Sequence, residues 1–181
     1  MRLVILLLAF PLFFAQAAIA ADTRQETHKE IRWEELVPKG WDPSKEFRDL
    51  DLGSMQDSDP RAMEALAKLQ TLFDNAPTDP AMAGQKIRLP GFAIPLEHKG
   101  DTVREFLLVP YFGACIHTPP PPANQILHVV AAKPTKLRTM DPVWVNGTIS
   151  VQRADTPWGK AGYRLTLDRF EPYKDTGRKS K

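Results

Sequence analysis

The sequence is almost free of cysteine, since Cys115 is the single one among 181 residues. One thiol cannot form a disulfide within the chain, which excludes a disulfide-stapled secreted fold. No cysteine lies near the end of the N-terminal apolar segment either, which excludes a lipid-anchored lipoprotein. A lone thiol in an oxidising compartment is normally buried, bound to a metal, paired with a partner or reactive. Cys115 is therefore a candidate functional residue.

The chain also lacks an excess of charge of either sign. Lys and Arg together number 24, and Asp and Glu together number 22. Nucleic acid binding requires clustered Lys and Arg that displace counterions, and binding to an anionic membrane surface requires a polybasic patch. The balanced composition therefore argues against both kinds of partner.

No apolar run is long enough to span a membrane, which takes about 20 residues in a helix. The longest run, over residues 4–14, is interrupted by Pro11, preceded by Arg2 and followed by Ala18-Ile19-Ala20. This order of features predicts a signal peptide over residues 1–20 that is cleaved near Ala20/Ala21. We therefore expect an exported, periplasmic protein that is soluble after cleavage and has no transmembrane segment in its mature part. A retained N-terminal anchor is the alternative.

The first part of the mature chain, residues 21–57, is polar and irregular. Turn-forming residues interrupt it, so we predict an extended N-terminal arm with one short helical turn over residues 30–36. Trp33 and Trp41 are expected to hold this arm against the body of the protein, because amphipathic indole rings suit such contacts. A partner-binding role for the two tryptophans is the alternative.

One helix is predicted next, over residues 58–76. Asp59 suits the N-cap, Pro60 suits the first helical position, and the Asn-Ala-Pro sequence at 75–77 ends the helix. Apolar residues recur between these ends at helical spacing, namely Met63, Leu66, Leu69, Leu72 and Phe73. The spacing predicts that the helix packs an apolar face on the rest of the domain.

From residue 84 onward the pattern becomes that of β-strands. Apolar residues predict strands over 85–96, 102–109, 126–131, 143–151 and 163–167. The first strand changes its apolar parity at Pro90-Gly91, which predicts a bulge or kink that exchanges its buried face. We therefore predict a mainly β protein in which residues 84–173 form a small five-stranded Greek-key barrel of the OB type. Another small barrel or a sandwich is the alternative, and residues 174–181 are predicted to form a disordered basic tail.

The segment over residues 111–125 is the unusual part of the sequence. Four consecutive prolines favour a stiff polyproline II rod and cannot enter a sheet interior. The two amides that follow the prolines can hold a ligand or a peptide backbone, and hydrogen bonding within the loop is the alternative. Together they form a candidate interaction loop, namely Pro119, Pro120, Pro121, Pro122, Asn124 and Gln125.

Cys115 and His117 form a candidate metal site. Alternate side chains of an extended segment share one face, which places these two about 7 Å apart at their Cα atoms. A thiolate and an imidazole are ligands that suit zinc or copper. His128, near the start of the next predicted strand, is the candidate third ligand, and Glu105 is a nearby carboxylate.

Three functions remain open on this evidence. The first is a metal-binding accessory protein, and the second is an interaction subunit that docks through its proline-rich loop while Cys115 is merely buried. The third is a thiol-dependent enzyme, but the sequence has neither a Cys-x-x-Cys motif nor an evident residue to orient His117. We therefore predict a non-catalytic binding protein.

The run from Phe112 to Gln125 resembles the signature of an exported bacterial family, domain-of-unknown-function family 3299. The resemblance extends to Trp-Glu-Glu-Leu-Val-Pro at 33–38, Leu-Pro-Gly-Phe at 89–92 and Val-Trp-Val-x-Gly at 143–147, and so covers most of the mature chain. It implies a periplasmic accessory protein without established catalytic residues. Genes of this family can lie beside transporters of the macrolide-exporter type. The resemblance therefore implies a role in envelope transport or metal handling, with an envelope transporter component as partner.

Overall fold

The structure is a computed structural model and describes residues 27–48, 56, 59–97, 102–116 and 120–173. The predicted signal peptide and the basic tail lie outside these ranges. Within them the strands are β1 (Lys29–Glu30), β2 (Lys86–Pro95), β3 (Val103–Val109), β4 (Leu127–Thr135), β5 (Asp141–Ser150), β6 (Ala154–Thr156), β7 (Gly159–Ala161) and β8 (Tyr163–Pro172). The helix is α1 (Pro60–Asp74), and short 3₁₀ turns cover Trp33–Leu36, Pro43–Phe47, Pro80–Met82 and Ala123–Gln125. None of the helices in these ranges is both long and apolar enough to cross a membrane.

Five of the strands close into a barrel. β2 pairs with β3, β3 with β4, β4 with β8, β8 with β5, and β5 again with β2. The pairing of β4 with β8 is parallel, and the other four pairings are antiparallel. Counted along the chain, the five barrel strands are β2, β3, β4, β5 and β8. The first of them pairs with the fourth, and the third runs parallel to the fifth, which is the arrangement of a Greek-key barrel of the OB type. The predicted fold class is therefore confirmed.

Alternate residues of each barrel strand point inward and form the main core. Its members include Ile87, Leu89, Ala93, Phe106, Leu108, Leu127, Val129, Val145, Ile149, Leu165 and Leu167. All of these side chains are buried. Burying one large aliphatic or aromatic side chain stabilises the fold by about 1.5–3 kcal/mol, so this interior supplies most of the driving force for barrel closure.

The predicted exchange of the buried face within β2 is wrong. The inward side keeps its parity through Ile87, Leu89 and Ala93, and the pairing of β2 with β5 runs from Lys86 to Ala93 without a register shift. Ile94 belongs to a second apolar set, which is buried on the opposite, outer side of the strand. A strand covered on both faces carries apolar residues at both parities. The spacing of apolar residues in the sequence cannot distinguish a strand that is buried on both faces from a strand whose buried face changes midway.

The outer side of β2 and β3 is covered by two other parts of the chain. These are the connection between β3 and β4 and the β6–β7 hairpin, and we call the resulting cluster the outer core. Its members include Ile94, Leu107, Val109, Ala114, Cys115, Ile116, Ile126, Ala154 and Ala161. OB-type barrels commonly bind ligands on the outside of their second and third strands. In this protein the chain itself covers the β3 part of that surface.

The N-terminal arm is joined to the barrel at several points. β1 pairs in parallel with β2, and Nε2 of His28 lies 2.9 Å from Oδ2 of Asp168 in β8. Ile31 and Leu36 are buried, and Trp33 packs against the main core. The 3₁₀ turn Trp33–Leu36 lies within the range where a helical turn was expected. The arm therefore adds apolar side chains to the core.

Helix α1 has the predicted ends but not the predicted packing. Asp59 caps it by accepting a hydrogen bond from Arg61 N at 2.9 Å, and Pro60 is its first residue. Met63 and Leu66 are 64% and 61% exposed, so the prediction that their side chains lie in the core is wrong. The barrel strands, with side chains of the N-terminal arm, fill the interior without these two residues. The helix is held at its C-terminal end, where Arg153 donates hydrogen bonds to backbone carbonyl oxygens of residues 74 and 76.

Candidate functional site

Cys115 lies in the connection between β3 and β4, in a backbone conformation that is rare for a residue with a side chain. Its φ is 64°, in the left-handed region. The side chain is half-buried and packs against the outer core. Burial raises the pKa of the Cys115 thiol from 9.0 to about 11, because a thiolate is poorly solvated there. The thiol is therefore protonated at neutral pH.

The structure brings His128 next to Glu105. His128 is buried on β4, and its Nε2 lies 2.8 Å from Oε2 of Glu105 on β3. Among the described residues, no three His, Cys, Asp or Glu side chains come together as possible ligands of a metal ion. His117 lies outside the described residues, as does Pro119. Binding of zinc or copper by Cys115, His117 and His128 thus stays a prediction.

The described part of the predicted interaction loop packs on its own barrel. Pro121 is buried. Asn124 is 0% exposed, and its Nδ2 donates a hydrogen bond to Pro77 O at 2.9 Å. The remaining described members of the loop are half-buried, namely Pro120, Pro122 and Gln125. Pro121 and Asn124 therefore contact the protein's own residues and are not accessible to a partner in this fold.

We expect Cys115 to be alkylated slowly at neutral pH. Only the thiolate reacts, and a pKa of about 11 instead of 9.0 lowers the thiolate fraction near pH 7, and with it the rate, by about 100-fold. The rate of reaction with iodoacetamide should rise about tenfold per pH unit between pH 7 and pH 10. Glutathione under the same conditions is the control. A rate that levels off below pH 8 would contradict the prediction and favour the thiol-dependent enzyme.

A groove lined by aromatic and proline side chains opens at one end of the barrel. Its volume is about 280 Å³, and its lining residues are Trp33, Pro90, Gly91, Phe92, Pro110, Pro142 and Tyr173. We call it the aromatic groove. β3 and β8 end beside it and β5 begins beside it, so strand ends hold much of the lining in place. None of the seven lining residues is charged.

Ring contacts extend the aromatic groove on two sides. Phe92 meets Phe112 edge to face, with 5.8 Å between the ring centroids. Tyr173 stacks on Trp144 with 5.7 Å between centroids and 24° between ring planes. Phe112 is 67% exposed and Tyr173 is 43% exposed. Two exposed rings thus lie beside the groove, each packed against a second, half-buried ring.

Polar contacts hold the walls of the aromatic groove. Nε1 of Trp33 donates a hydrogen bond to Pro90 O at 2.8 Å. The guanidinium of Arg88 lies 3.9 Å from the centroid of the Trp144 ring and forms an ion pair with Glu30 at 2.8 Å. Rings that are held before a ligand arrives lose little conformational entropy on binding. The groove is therefore a preformed surface.

Sequence reasoning identified only part of the aromatic groove. It singled out Trp33 as an anchor of the arm and placed Phe112 in the unusual segment. Phe92 and Trp144 entered only as parts of the family resemblance at 89–92 and 143–147. It did not point to Tyr173, which is far from these residues in the sequence and joins them only when the barrel closes. Prolines at the strand ends, beside aromatic residues, are the one signal that would have pointed to this end of the barrel.

The fold and the groove define a small OB-type barrel protein with an exposed aromatic surface. A family model described as protein of unknown function (DUF3299) matches residues 33–172, and the chain belongs to this family. It is similar to the crystal structure of a protein of the same family from Pseudomonas aeruginosa PAO1, with 35% sequence identity and a TM-score of 0.64. The similarity covers 82% of this chain and 97% of that one. The family expected from the sequence is confirmed. That the Cys-x-His and polyproline run is a signature of this family stays a prediction.

Other solved structures are less similar. Asparaginyl-tRNA synthetase from Pyrococcus horikoshii, complexed with asparaginyl-adenylate, is 17% identical with a TM-score of 0.35 and coverage of 53% of this chain and 20% of that one. A putative aspartyl-tRNA synthetase from Leishmania major Friedlin is 8% identical with a TM-score of 0.39 and coverage of 86% and 23%. Likeness at these scores supports no conclusion about function. No curated protein matches the chain.

Proposed function

We propose that this protein is an exported, non-catalytic accessory protein of the bacterial envelope that binds a polypeptide partner through the aromatic groove. The observation that carries the proposal is the aromatic groove with two ring pairs beside it, each of which has one exposed member, Phe112 or Tyr173. Aromatic residues are enriched in protein interfaces and supply much of their binding energy. The signal-peptide pattern supports export to the periplasm. The family resemblance supports an envelope transporter component as the partner.

The lining chemistry favours a polypeptide over a nucleic acid or a sugar. Phosphate binding requires Lys or Arg. The lining residues carry no charge, and the nearby Arg88 is paired with Glu30 and Glu171. A sugar requires several hydrogen-bonding groups, but the indole N–H of Trp33 is already bonded to Pro90 O. The hydroxyl of Tyr173 is the remaining polar side-chain group of the lining. Apolar side chains of a peptide match such a surface.

Site-specific photo-crosslinking in cells tests the proposal. A photoreactive phenylalanine analogue at position 112 should give a discrete crosslinked product in the periplasmic fraction, where the mature chain should begin near Ala21. The same analogue at the exposed position 133 on β4 is the matched control and should give none. Tyr173→Ala should reduce the product by about tenfold, because it removes one wall of the groove. Equal products at positions 112 and 133, or no effect of Tyr173→Ala, would contradict the proposal.

Metal binding by Cys115, His117 and His128 is the competing prediction from the sequence. A zinc ion bound by Cys115 must displace the proton of a thiol whose pKa is about 11, which weakens binding at neutral pH. The alkylation assay tests this directly. Protection of Cys115 by equimolar zinc or copper, lost in His117→Ala, would support a metal site. Absence of protection by either ion would contradict it.

A further inference from the structure

We infer that Arg88 is a positioning residue of the aromatic groove and that it fixes the Tyr173 wall through the ring of Trp144. The inference rests on the proposed function, because Tyr173 lines the groove through which the partner is bound. Arg88 and Trp144 lie outside the lining of the groove. They can therefore act on a bound partner only through the position of another side chain.

The Tyr173 wall depends on its neighbour Trp144. Tyr173 follows the last residue of β8 and is 43% exposed. Its backbone N–H donates a hydrogen bond to Pro142 O at 2.8 Å, which fixes the chain but leaves the side chain a choice of rotamers. The ring stacks on Trp144 with 5.7 Å between centroids, within the range of favourable ring pairs. The place of the Trp144 ring thus selects the place of the Tyr173 ring.

The Trp144 ring is in turn contacted by Arg88. Trp144 lies on β5, directly opposite Pro90 on β2. Arg88 shares the outer face of β2 with Pro90, because side chains alternate along a strand, so Arg88 and Trp144 are diagonal neighbours across the pair. Long side chains reach an aromatic ring at that spacing. The guanidinium accordingly lies over the ring, 3.9 Å from its centroid, where cation and ring attract each other and two planar groups can stack.

Two carboxylates hold the guanidinium of Arg88. Glu30 on β1 lies 2.8 Å from it, and Glu171 on β8 lies 3.7 Å from it. Glu171 also pairs with Arg169 at 3.0 Å, so Glu30 is the closer and the less shared of the two. The backbone places Glu30 there, because it is the register partner of Arg88 in the parallel pairing of β1 with β2. Arg88 is thus oriented before any partner binds.

The N-terminal arm therefore acts on two walls of the groove. Trp33 forms one wall directly, with its indole N–H bonded to the backbone of β2. Glu30 acts on the Tyr173 wall indirectly, through Arg88 and Trp144. Pairing of the arm with β2 thus orients two walls that come from opposite ends of the described chain.

Fluorine NMR of protein labelled with fluorotyrosine tests the role of Arg88 without a partner. The sequence has three tyrosines, and Tyr173→Phe assigns the signal of Tyr173. The ring current of Trp144 shifts that signal, so Trp144→Leu gives the change that corresponds to a lost stack. Arg88→Met keeps an unbranched side chain without the guanidinium, and should move the Tyr173 signal in the same direction by about half of that change. The signal of Tyr163, which is buried in the core, should stay in place.

Arg88→Lys separates the charge of Arg88 from its shape. Lys keeps the positive charge with which Glu30 and Glu171 pair, but it lacks the planar guanidinium that stacks on a ring. We expect Arg88→Lys to move the Tyr173 signal less than Arg88→Met does, without leaving it at the parent position. A signal at the parent position would show that charge alone is sufficient and would overturn the role given to stacking.

Glu30→Gln tests the contribution of the arm. It should move the Tyr173 signal in the same direction as Arg88→Met and by a smaller amount. Combined with Arg88→Met it should add little, because residues that act through one another are not additive. Lys29→Gln is the matched control, since it removes the neighbouring ion pair of the arm, with Glu35 at 3.0 Å, and should leave the signal in place. Equal shifts for Glu30→Gln and Lys29→Gln would overturn the role of Glu30.

The yield of the crosslink at position 112 connects this placement to binding. Arg88→Met should lower the yield about threefold, because the Tyr173 ring remains but is no longer held in one position. The loss should be smaller than that caused by Tyr173→Ala, which removes the ring. Far-ultraviolet circular dichroism of each variant, compared with the parent protein, ensures that a loss reflects the groove and not the fold.

The outcomes separate this inference from the function on which it rests. An unchanged Tyr173 signal in Arg88→Met would overturn the inference, and a crosslink that depends on Tyr173 would then still support the proposed function. A shifted signal with an unchanged crosslink yield would overturn the claim that the placement serves binding. A shifted signal in a protein that gives no crosslink would support the positioning of Tyr173 and contradict the proposed function. A comparable shift of the Tyr163 signal would show that Arg88 acts on the whole barrel, which would also overturn the inference.

Discussion

Replacing Tyr163 with Phe should lower the free energy of unfolding by about 2–4 kcal/mol. Tyr163 is fully buried. Its hydroxyl donates a hydrogen bond to Leu36 O at 2.7 Å and accepts one from Asp79 N at 2.6 Å. Phe keeps the ring but leaves a carbonyl and an N–H without partners, and each such group costs about 1–3 kcal/mol when buried. Urea denaturation at neutral pH measures the change.

Tyr173→Phe is the matched control for this prediction, because it removes the same hydroxyl from a residue that is 43% exposed. Its effect should lie within about 0.5 kcal/mol of zero. Amide hydrogen exchange adds a local readout, since Asp79 N loses its acceptor and should exchange faster in Tyr163→Phe. A loss below about 1 kcal/mol, with unchanged exchange at Asp79, would show that water replaces the hydroxyl.

Gly147→Ala should destabilise the protein by about 2–4 kcal/mol. Gly147 lies where the pairing of β5 with β8 shifts its register. A β-carbon at this position would overlap the backbone oxygen of Thr166 and lie 2.7 Å from Cδ2 of Leu165. A side chain can move away, but the backbone oxygen belongs to the neighbouring barrel strand. The barrel must therefore open locally to admit one methyl group.

Lys133→Gln on β4 is the control for Gly147→Ala, since its side chain is exposed. Its free energy of unfolding should lie within about 0.5 kcal/mol of the parent value. Thermal unfolding of both variants gives the comparison. Equal melting temperatures for Gly147→Ala and the parent would show that β5 and β8 separate at low cost at this register shift.

The barrel could be predicted because its strands carry the period-two signal of residues that alternate between core and surface. Val145, Ile149, Leu165 and Leu167 show this pattern, and all four lie in the main core. The prediction failed at β2, where an outer core makes both parities apolar. It failed again at Met63 and Leu66, because helical spacing identifies an apolar face but not whether another element covers it.

The aromatic groove could not be predicted because its parts come from distant positions in the sequence. Trp33, Phe92 and Tyr173 meet only after the arm has docked and β8 has completed the barrel. The unusual segment attracted attention through its prolines and its lone cysteine, which are conspicuous in a linear sequence. Two of its residues, Pro121 and Asn124, are buried against the barrel in the fold. Composition is a local signal, whereas a binding surface is assembled by topology.

The docking of the arm onto β8 has a consequence for folding kinetics. The contacts of His28 with Asp168 and of Leu36 with Tyr163 join residues that are 140 and 127 positions apart. Contacts of such sequence separation close very long loops and slow folding. A chain that is synthesised from its N-terminus presents Trp33 and Leu36 long before β8 is available. During that interval the newly made chain is most open to proteolysis and self-association, and the speed of barrel closure sets how long the interval lasts.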